Sequence, residues 1–210
     1  MSKTLAILGS SHLGQQIAHL AVSDNHYDEV VFFDDYTKSE GENSNKVIGS
    51  SSDLLRQYKN QKFDEMLIGI GYKHLAAKAN IYKRFKNLIP FGKIIHSSCW
   101  VDNTAKIGSG VIIYPGCTID SNVVIESNCI INLHNCIAHD SIIGESSFLA
   151  PRVVVSGFSS VGKKCFLGVG ATLIDNISIA DDVKVGAGAV VTKSLTYAGL
   201  YYGVPAKLVV

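Results

Sequence analysis

Residues 107–125, IGSGVIIYPGCTIDSNVVI, carry an aliphatic side chain at Ile107, Ile113, Ile119 and Ile125, one in every six residues. Outward from this stretch the series runs unbroken from Ile95 to Val191, seventeen positions without an insertion. A helix repeats every 3.6 residues and a strand every two, so neither gives a strict six. A fixed short period marks a solenoid, and hexapeptides build its parallel β-helix form. Two residues before each aliphatic the side chain is mostly small or apolar, as at Ala105, Val111, Cys117, Cys129, Ser141, Ser147, Cys165 and Ala171. One residue after it, small or turn-forming residues prevail, including Gly108, Asp120, Asn132, Gly144 and Gly162. Three hexads make one triangular coil, with residues eighteen apart stacked about 4.8 Å from each other and a prism roughly 27 Å tall. Each inward aliphatic is worth roughly 1.5–3 kcal/mol of gross burial.

At 210 residues the chain has room for two small domains. Nineteen basic against eighteen acidic residues leave a net charge of +1, and no basic tail or stripe points to nucleic acid. The N-terminal apolar run is too short for a signal peptide and no segment approaches a membrane span, so a cytoplasmic protein is expected. Of the five cysteines, Cys99, Cys117, Cys129 and Cys165 fall two before an aliphatic and are expected inside as small hydrophobes. Cys99 and Cys117 should stack, but a reducing cytoplasm disfavours a disulfide, and no C-x-x-C suggests structural zinc.

The first ninety residues read differently. Lys3–Leu8 is a buried strand, followed by the turn Gly9-Ser10-Ser11-His12-Leu13-Gly14 and a helix pattern through Ile17, Leu20 and Ala21. Glu29–Phe33 is a second strand closed by Asp34 and Asp35; Glu65–Ile70 is a third, ending at Gly71, with a helix from about Lys73 to Lys86. Alternating strand and helix predict a small parallel Rossmann-type sheet, with ligand at the carboxyl ends of its strands. The G-x-G-x-x-G fingerprint is absent. The turn at residues 9–14 can still cradle a phosphate at a helix N-terminus, and the acid pair can accept hydrogen bonds from a nucleoside. The plainer reading, a turn and a solvated acid pair, stays open. Lys38–Ser52 is polar and reads as a surface loop. Residues 88–93, with Pro90 and Gly92, join a domain of residues 1–90 to one of residues 91–210.

This order of motifs, from the turn at 9–14 and the paired acids to IIHSSCWVDNTAKIG (residues 94–108) opening an uninterrupted hexapeptide prism, resembles the NeuD/PglD-like sugar acyltransferases. The resemblance spans essentially the whole chain. It implies a left-handed β-helix, which the period alone does not specify, and homotrimers with sites between subunits. It implies transfer of acetyl from acetyl-CoA, with no metal, to the amino group of a nucleotide-linked amino sugar such as a 4-amino-4,6-dideoxyhexose. O-acetylation of a sialic-acid-type sugar is the family's other activity. The substrate side would draw on Gly9, Ser10, Ser11, His12, Asp34, Asp35 and Gly71.

Acyl transfer to an amine needs a base, and donors for the oxyanion. Histidine suits the first role, with an unperturbed pKa of about 6.5. Inside the solenoid only His96, His134 and His139 are available. His139 falls at a corner, third in its hexad; Asp140 follows it, and Gly157, eighteen residues on, leaves room beside it. The segment Ile137–Gly144 also resembles the family's catalytic motif, which makes His139 the general base and Asp140 its partner. Asn132 matches a family position near the active site, or stacks as a turn residue. His134 is either a substrate contact or a surface residue. Some relatives hold acetyl-CoA with a histidine nine residues after the base, where this chain has Phe148, implying either an apolar contact or compensation by His134. Gly157, Val169 and Ala187 correspond to cleft-lining positions, and Lys207, in the G-x-P-A-K-like tail, to a partner for a CoA phosphate or to a solvated lysine. A zinc-dependent γ-type carbonic anhydrase is the reading from another class, since His134 and His139 are five apart, but a third histidine ligand is missing.

Overall fold

A computed structural model describes residues 2–37 and 47–209. The chain divides into two units, Met1–Ile94 and Ile95–Val210.

The first unit contains β1 (Thr4–Leu8), α1 (His12–Ser23), β2 (Glu29–Phe33), β3 (Val47–Gly49), α2 (Leu54–Lys59), β4 (Glu65–Ile68) and α3 (Leu75–Phe85). Its sheet runs β3-β2-β1-β4 with every pair parallel. Leu5, Ala6, Ile7 and Leu8 are all buried, the mark of a central parallel strand covered on both faces. Ala6, Leu8, Val31, Phe33, Met66 and Ile68 pack with Tyr82 and Phe85 of α3. Gly14 lets α1 lie against the sheet: a Cβ there would run into the Gly9 carbonyl.

Three expectations change here. The loop over Lys38–Ser52 falls partly on residues 38–46, outside the described residues, and its end is the edge strand β3, paired to Phe32 and Phe33. The short helix α2 was hidden in a polar stretch because it buries only Leu54. The last helix starts as a 3-10 turn, Tyr72–His74, and the Glu65 strand ends at Ile68. In the junction, Phe91 bridges to Met66 and Pro90 accepts the Met66 N–H at 2.9 Å, extending the first unit's sheet.

The second unit is the left-handed parallel β-helix implied above. Two-residue strands stack eighteen residues apart into three parallel sheets of five, eight and six strands, as in Cys136↔Val154 and Ile137↔Val155. The eight-stranded sheet ends with Lys207–Val209 antiparallel to Gly199–Tyr202. Every repeat aliphatic from Ile113 to Val191 is buried, whereas Ile95, Val101 and Ile107 of the first coil are only partly so. A first coil has a neighbour on one side only.

Numbering each hexad from its aliphatic, the fourth residue has positive φ in every hexad from Gly110 to Gly188. That is the turn. The residues one after the aliphatic, expected as turn formers, instead donate their N–H to the next coil, as Gly144 does to Val161 at 2.8 Å. Gly144 is small for a different reason: a Cβ on it would sit 2.6 Å from the Gly162 backbone. The fifth residues point inward, and their thiols and hydroxyls donate to the carbonyl fifteen residues on. Examples are Cys117 Sγ to Asn132 (3.0 Å), Cys129 Sγ to Gly144 (3.1 Å) and Ser147 Oγ to Gly162 (2.8 Å). All five cysteines are free; Cys117, Cys129 and Cys165 are buried, Cys99 is half-buried, and Cys136, sixth in its hexad, is exposed. Burial pushes the Cys165 thiol up to about 12, and a hydrogen bond with Cys99 and burial raise Cys117, so both stay protonated donors.

Candidate functional site

In the first unit a cavity of about 290 Å³ opens at the carboxyl ends of β1, β2 and β4. It contains the crevice between β1 and β4, from which the chain winds both ways, the place where such sheets bind ligands. Of the residues expected there, Gly9, Ser11, Asp34, Asp35 and Gly71 line it. Ser10 and His12 do not.

Ser10 is committed elsewhere. Its N–H and hydroxyl donate to Asp34 Oδ2 at 2.8 and 2.7 Å, and the N–H groups of Tyr36 and Thr37 donate to Asp34 Oδ1 at 2.8 and 3.0 Å. A carboxylate has room for about four donors, so Asp34 is full. Burial pushes its carboxyl upward, but these four hydrogen bonds together outweigh burial and hold it down at about 2. Asp34, expected to meet a nucleoside, lines the cavity with its carboxylate clamping the first turn to the end of β2. Likewise the Ser10 N–H, expected for a phosphate, is spent. Asp35 Oδ1 accepts the Ser51 N–H at 2.7 Å, and the residue is exposed. Leu8, Gly69 and Ile70 at the strand ends also line it, as do Tyr36, Thr37, His74 and Ile81, which were not foreseen. Tyr36, directly after the acid pair and 97% exposed, was the readable signal.

In the second unit His139 and Asp140 occupy one corner of the prism. Asp140 is a left-handed turn residue (φ 58°), and that turn swings its carboxylate back to its neighbour. His139 Nδ1 lies 3.0 Å from Asp140 Oδ2. With a carboxylate as acceptor, Nδ1 carries the proton and Nε2 is the basic nitrogen. The room made by Gly157 is taken by the imidazole itself: a Cβ on Gly157 would lie 2.7 Å from His139 Cε1. That corrects the expected open gap, since the glycine accommodates the ring and not a ligand. Phe158, the next residue, packs edge-on against the imidazole at 5.0 Å and 83° and is 58% exposed. Sequence reasoning passed over it, although a phenylalanine at a left-handed turn (φ 56°) is a steric outlier worth noticing.

Asn132 closes its own turn, accepting the Leu133 N–H at 2.8 Å. His134 stands at the next corner, across the strand Cys136–Ile137 from His139, with its ring over Gly116. Val169 and Ala187 share that second corner and are exposed. Phe148 departs from expectation: it is 6% exposed and packs at a tilt against Phe166, ring centres 6.0 Å apart, so it offers a ligand almost no surface. Lys207 is exposed on the last strand. Among the described residues no group of three or more His, Cys, Asp or Glu is arranged to hold a metal, and no helix is long and apolar enough to cross a membrane.

A family model described as the PglD N-terminal domain matches residues 4–85. Among curated proteins no sequence match was found. Among solved structures, PerB from Caulobacter crescentus, in complex with CoA and GDP-perosamine, is 27% identical with a TM-score of 0.87, covering 99% of this chain and 97% of that one. The acetyltransferase domain of PglB from Neisseria gonorrhoeae FA1090, in complex with acetyl coenzyme A, is 25% identical with a TM-score of 0.90 over 100% of both chains. WeeI from Acinetobacter baumannii AYE shares the fold at 21% identity, with a TM-score of 0.86 over 99% of this chain and 100% of that one. The match over residues 4–85 and the likeness to PerB bear out the NeuD/PglD-like resemblance of the sequence.

Proposed function

We propose that this chain, a two-domain protein of the NeuD/PglD-like type, is an acetyl-CoA-dependent N-acetyltransferase acting on a nucleotide-linked amino sugar, of the 4-amino-4,6-dideoxyhexose class. The observation that carries the reading is the His139–Asp140 pair, an imidazole held against a carboxylate at 3.0 Å on an exposed corner. The likeness to PerB with its CoA and GDP-perosamine supports the two ligands. The nucleotide part of the substrate is assigned to the 290 Å³ cavity, with Asp35, Tyr36 and His74 as its polar contacts and the backbone at Gly9 and Gly71 as part of its wall. Asp34 and Ser10 shape that floor from behind.

The sugar amine attacks the thioester carbonyl, forming the new N–C bond as the C–S bond breaks and CoA leaves as its thiol. His139 Nε2 takes the proton released by the nitrogen, Asp140 steadies the imidazolium that results, and that proton then passes to the departing CoA sulfur, restoring the neutral imidazole. No acyl-enzyme is needed, because no cysteine or serine side chain lies within hydrogen-bonding reach of the imidazole among the described contacts. Val169, Ala187 and Lys207 are assigned to acetyl-CoA, with Gly157 seating the base. His139 and the pair Val169/Ala187 sit on different corners of one prism, which supports a homotrimer in which one chain supplies the base and its neighbour the CoA wall. Five free cysteines suit a reducing compartment, in line with a cytoplasmic location.

The test is thiol release from acetyl-CoA with GDP-, UDP- and dTDP-linked 4-amino sugars. At least one should be turned over, and His139→Ala should lower kcat by 10²- to 10⁴-fold, the usual span for a general base, with the oligomer intact. Full activity of that variant ends the base assignment. Turnover of free sialic acid but of no amino sugar replaces N- with O-transfer.

A further inference from the structure

Beyond the base and its acid, the same corner holds a third group. Asn122 lies eighteen residues before Asp140, one coil below it, and its Nδ2 donates to Asp140 Oδ1 at 3.1 Å. The two carboxylate oxygens are thus divided: Oδ1 receives Asn122 and Oδ2 faces His139 Nδ1. Asn122 is itself held from below. Its backbone N–H donates to Thr104 Oγ1 at 2.8 Å, and Thr104 Oγ1 donates to Asp102 Oδ1 at 2.6 Å. A chain of hydrogen bonds therefore climbs the corner from Asp102 through Thr104, the Asn122 backbone and side chain, and Asp140 to the imidazole.

We propose that Asn122 is a positioning residue for His139, acting through Asp140. The physical need is clear from exposure. Asp140 and His139 have side chains 36% and 47% exposed, so a single hydrogen bond between them must compete with water and with free rotation of the carboxylate. A second donor on the far oxygen restrains that rotation and keeps Oδ2 facing Nδ1. The imidazole also meets Phe158 and the Gly157 backbone, so packing limits its tilt while Asp140 sets its tautomer. Position alone does not require this asparagine to bond. The fourth residue of a hexad needs only a left-handed conformation, which Arg152 and Phe158 adopt with side chains of other kinds.

The left-handed turn also supplies the clean experiment. At φ 58° glycine is at least as comfortable as asparagine, so Asn122→Gly removes the donor without straining the fold. The proposal rests on His139 being the base, and the assay therefore carries His139→Ala beside it. With the full-length protein and the best amino-sugar substrate, Asn122→Gly should lower kcat about 10-fold, leave both KM values and the unfolding temperature unchanged, and have no further effect in an Asp140→Ala background. Asn122→Asp tolerates the same turn but sets a second carboxylate against Asp140, and it should move the acid limb of the pH–rate profile to higher pH. An Asn122→Gly enzyme with full kcat, or a loss that persists undiminished in the Asp140→Ala background, overturns the proposal while an inactive His139→Ala keeps the base. An active His139→Ala overturns both.

Discussion

The prism and the α/β domain place their candidate chemistry in opposite relations to their folds. In the prism the two are separate: interior aliphatics such as Ile137 and Ile143 hold the coil, while His139 and Asp140 stand outside and contribute nothing to the core. In the α/β domain they coincide. Asp34 lines the cavity and at the same time ties the first turn to the end of β2 through four hydrogen bonds. A solenoid can therefore change its corner residues at small structural cost, whereas the cavity of the α/β domain is shaped by the contacts that hold its strand ends together.

The largest expected effect tests the separation at one strand. Ile143 is fully buried and its neighbour Ile142 faces outward, 44% exposed. Ile143→Asp puts an unpaired carboxylate in the core, a cost of several kcal/mol that should leave no folded prism by circular dichroism and soluble yield. Ile142→Asp should leave the fold of the single chain intact, changing its stability by less than about 1 kcal/mol; equal damage from both would break the comparison.

Next comes a pair of glycines. Gly157 has an ordinary φ, so alanine fits its backbone, but the new methyl would displace the His139 ring. Gly157→Ala should cut kcat on the order of 100-fold, as a misplaced base does, with little change in unfolding temperature. Gly170 has φ 67° and nothing within 4 Å of a Cβ, so Gly170→Ala should cost roughly 1 kcal/mol of backbone strain and leave the rate to the amine untouched. The two variants separate site from scaffold in opposite directions.

The smallest effect concerns the domain in which site and fold coincide. The folded-state pKa of Asp34, about 2, is below the unfolded value of about 3.9. Its stabilisation is therefore present at neutral pH and is lost as pH falls through the range from 4 to 2. Asp34→Asn should flatten that part of the stability curve, followed by urea unfolding, and also weaken nucleotide-sugar binding. Asp35→Asn should affect binding alone.

Much of this was legible in the chain itself. The period of six predicted the β-helix, the inward cysteines and the corner of His139, because a hexad has one way to turn an aliphatic inward. What went astray depended on partners far apart in sequence. Phe148 reads as an open contact until its burial against Phe166 is seen, and β3 reads as loop because three half-buried residues at a sheet edge carry little pattern. Phe158 and Asn122 were each visible only as turn residues.

By itself, then, the sequence determined the scaffold: an unbroken spacing sets which side chains share an interior, and burial enforces that spacing at every coil. Only the tertiary structure decided the division of labour between two aspartates that look alike on paper. Asp34 is saturated because the first turn and the chain after β2 converge on it. Asp140 keeps one oxygen for His139 because a left-handed turn rotates it toward its neighbour while the coil below supplies Asn122 for the other. Hydrogen-bond capacity is used up by whatever the fold brings within about 3 Å, and that is a property of the folded neighbourhood, not of residue type.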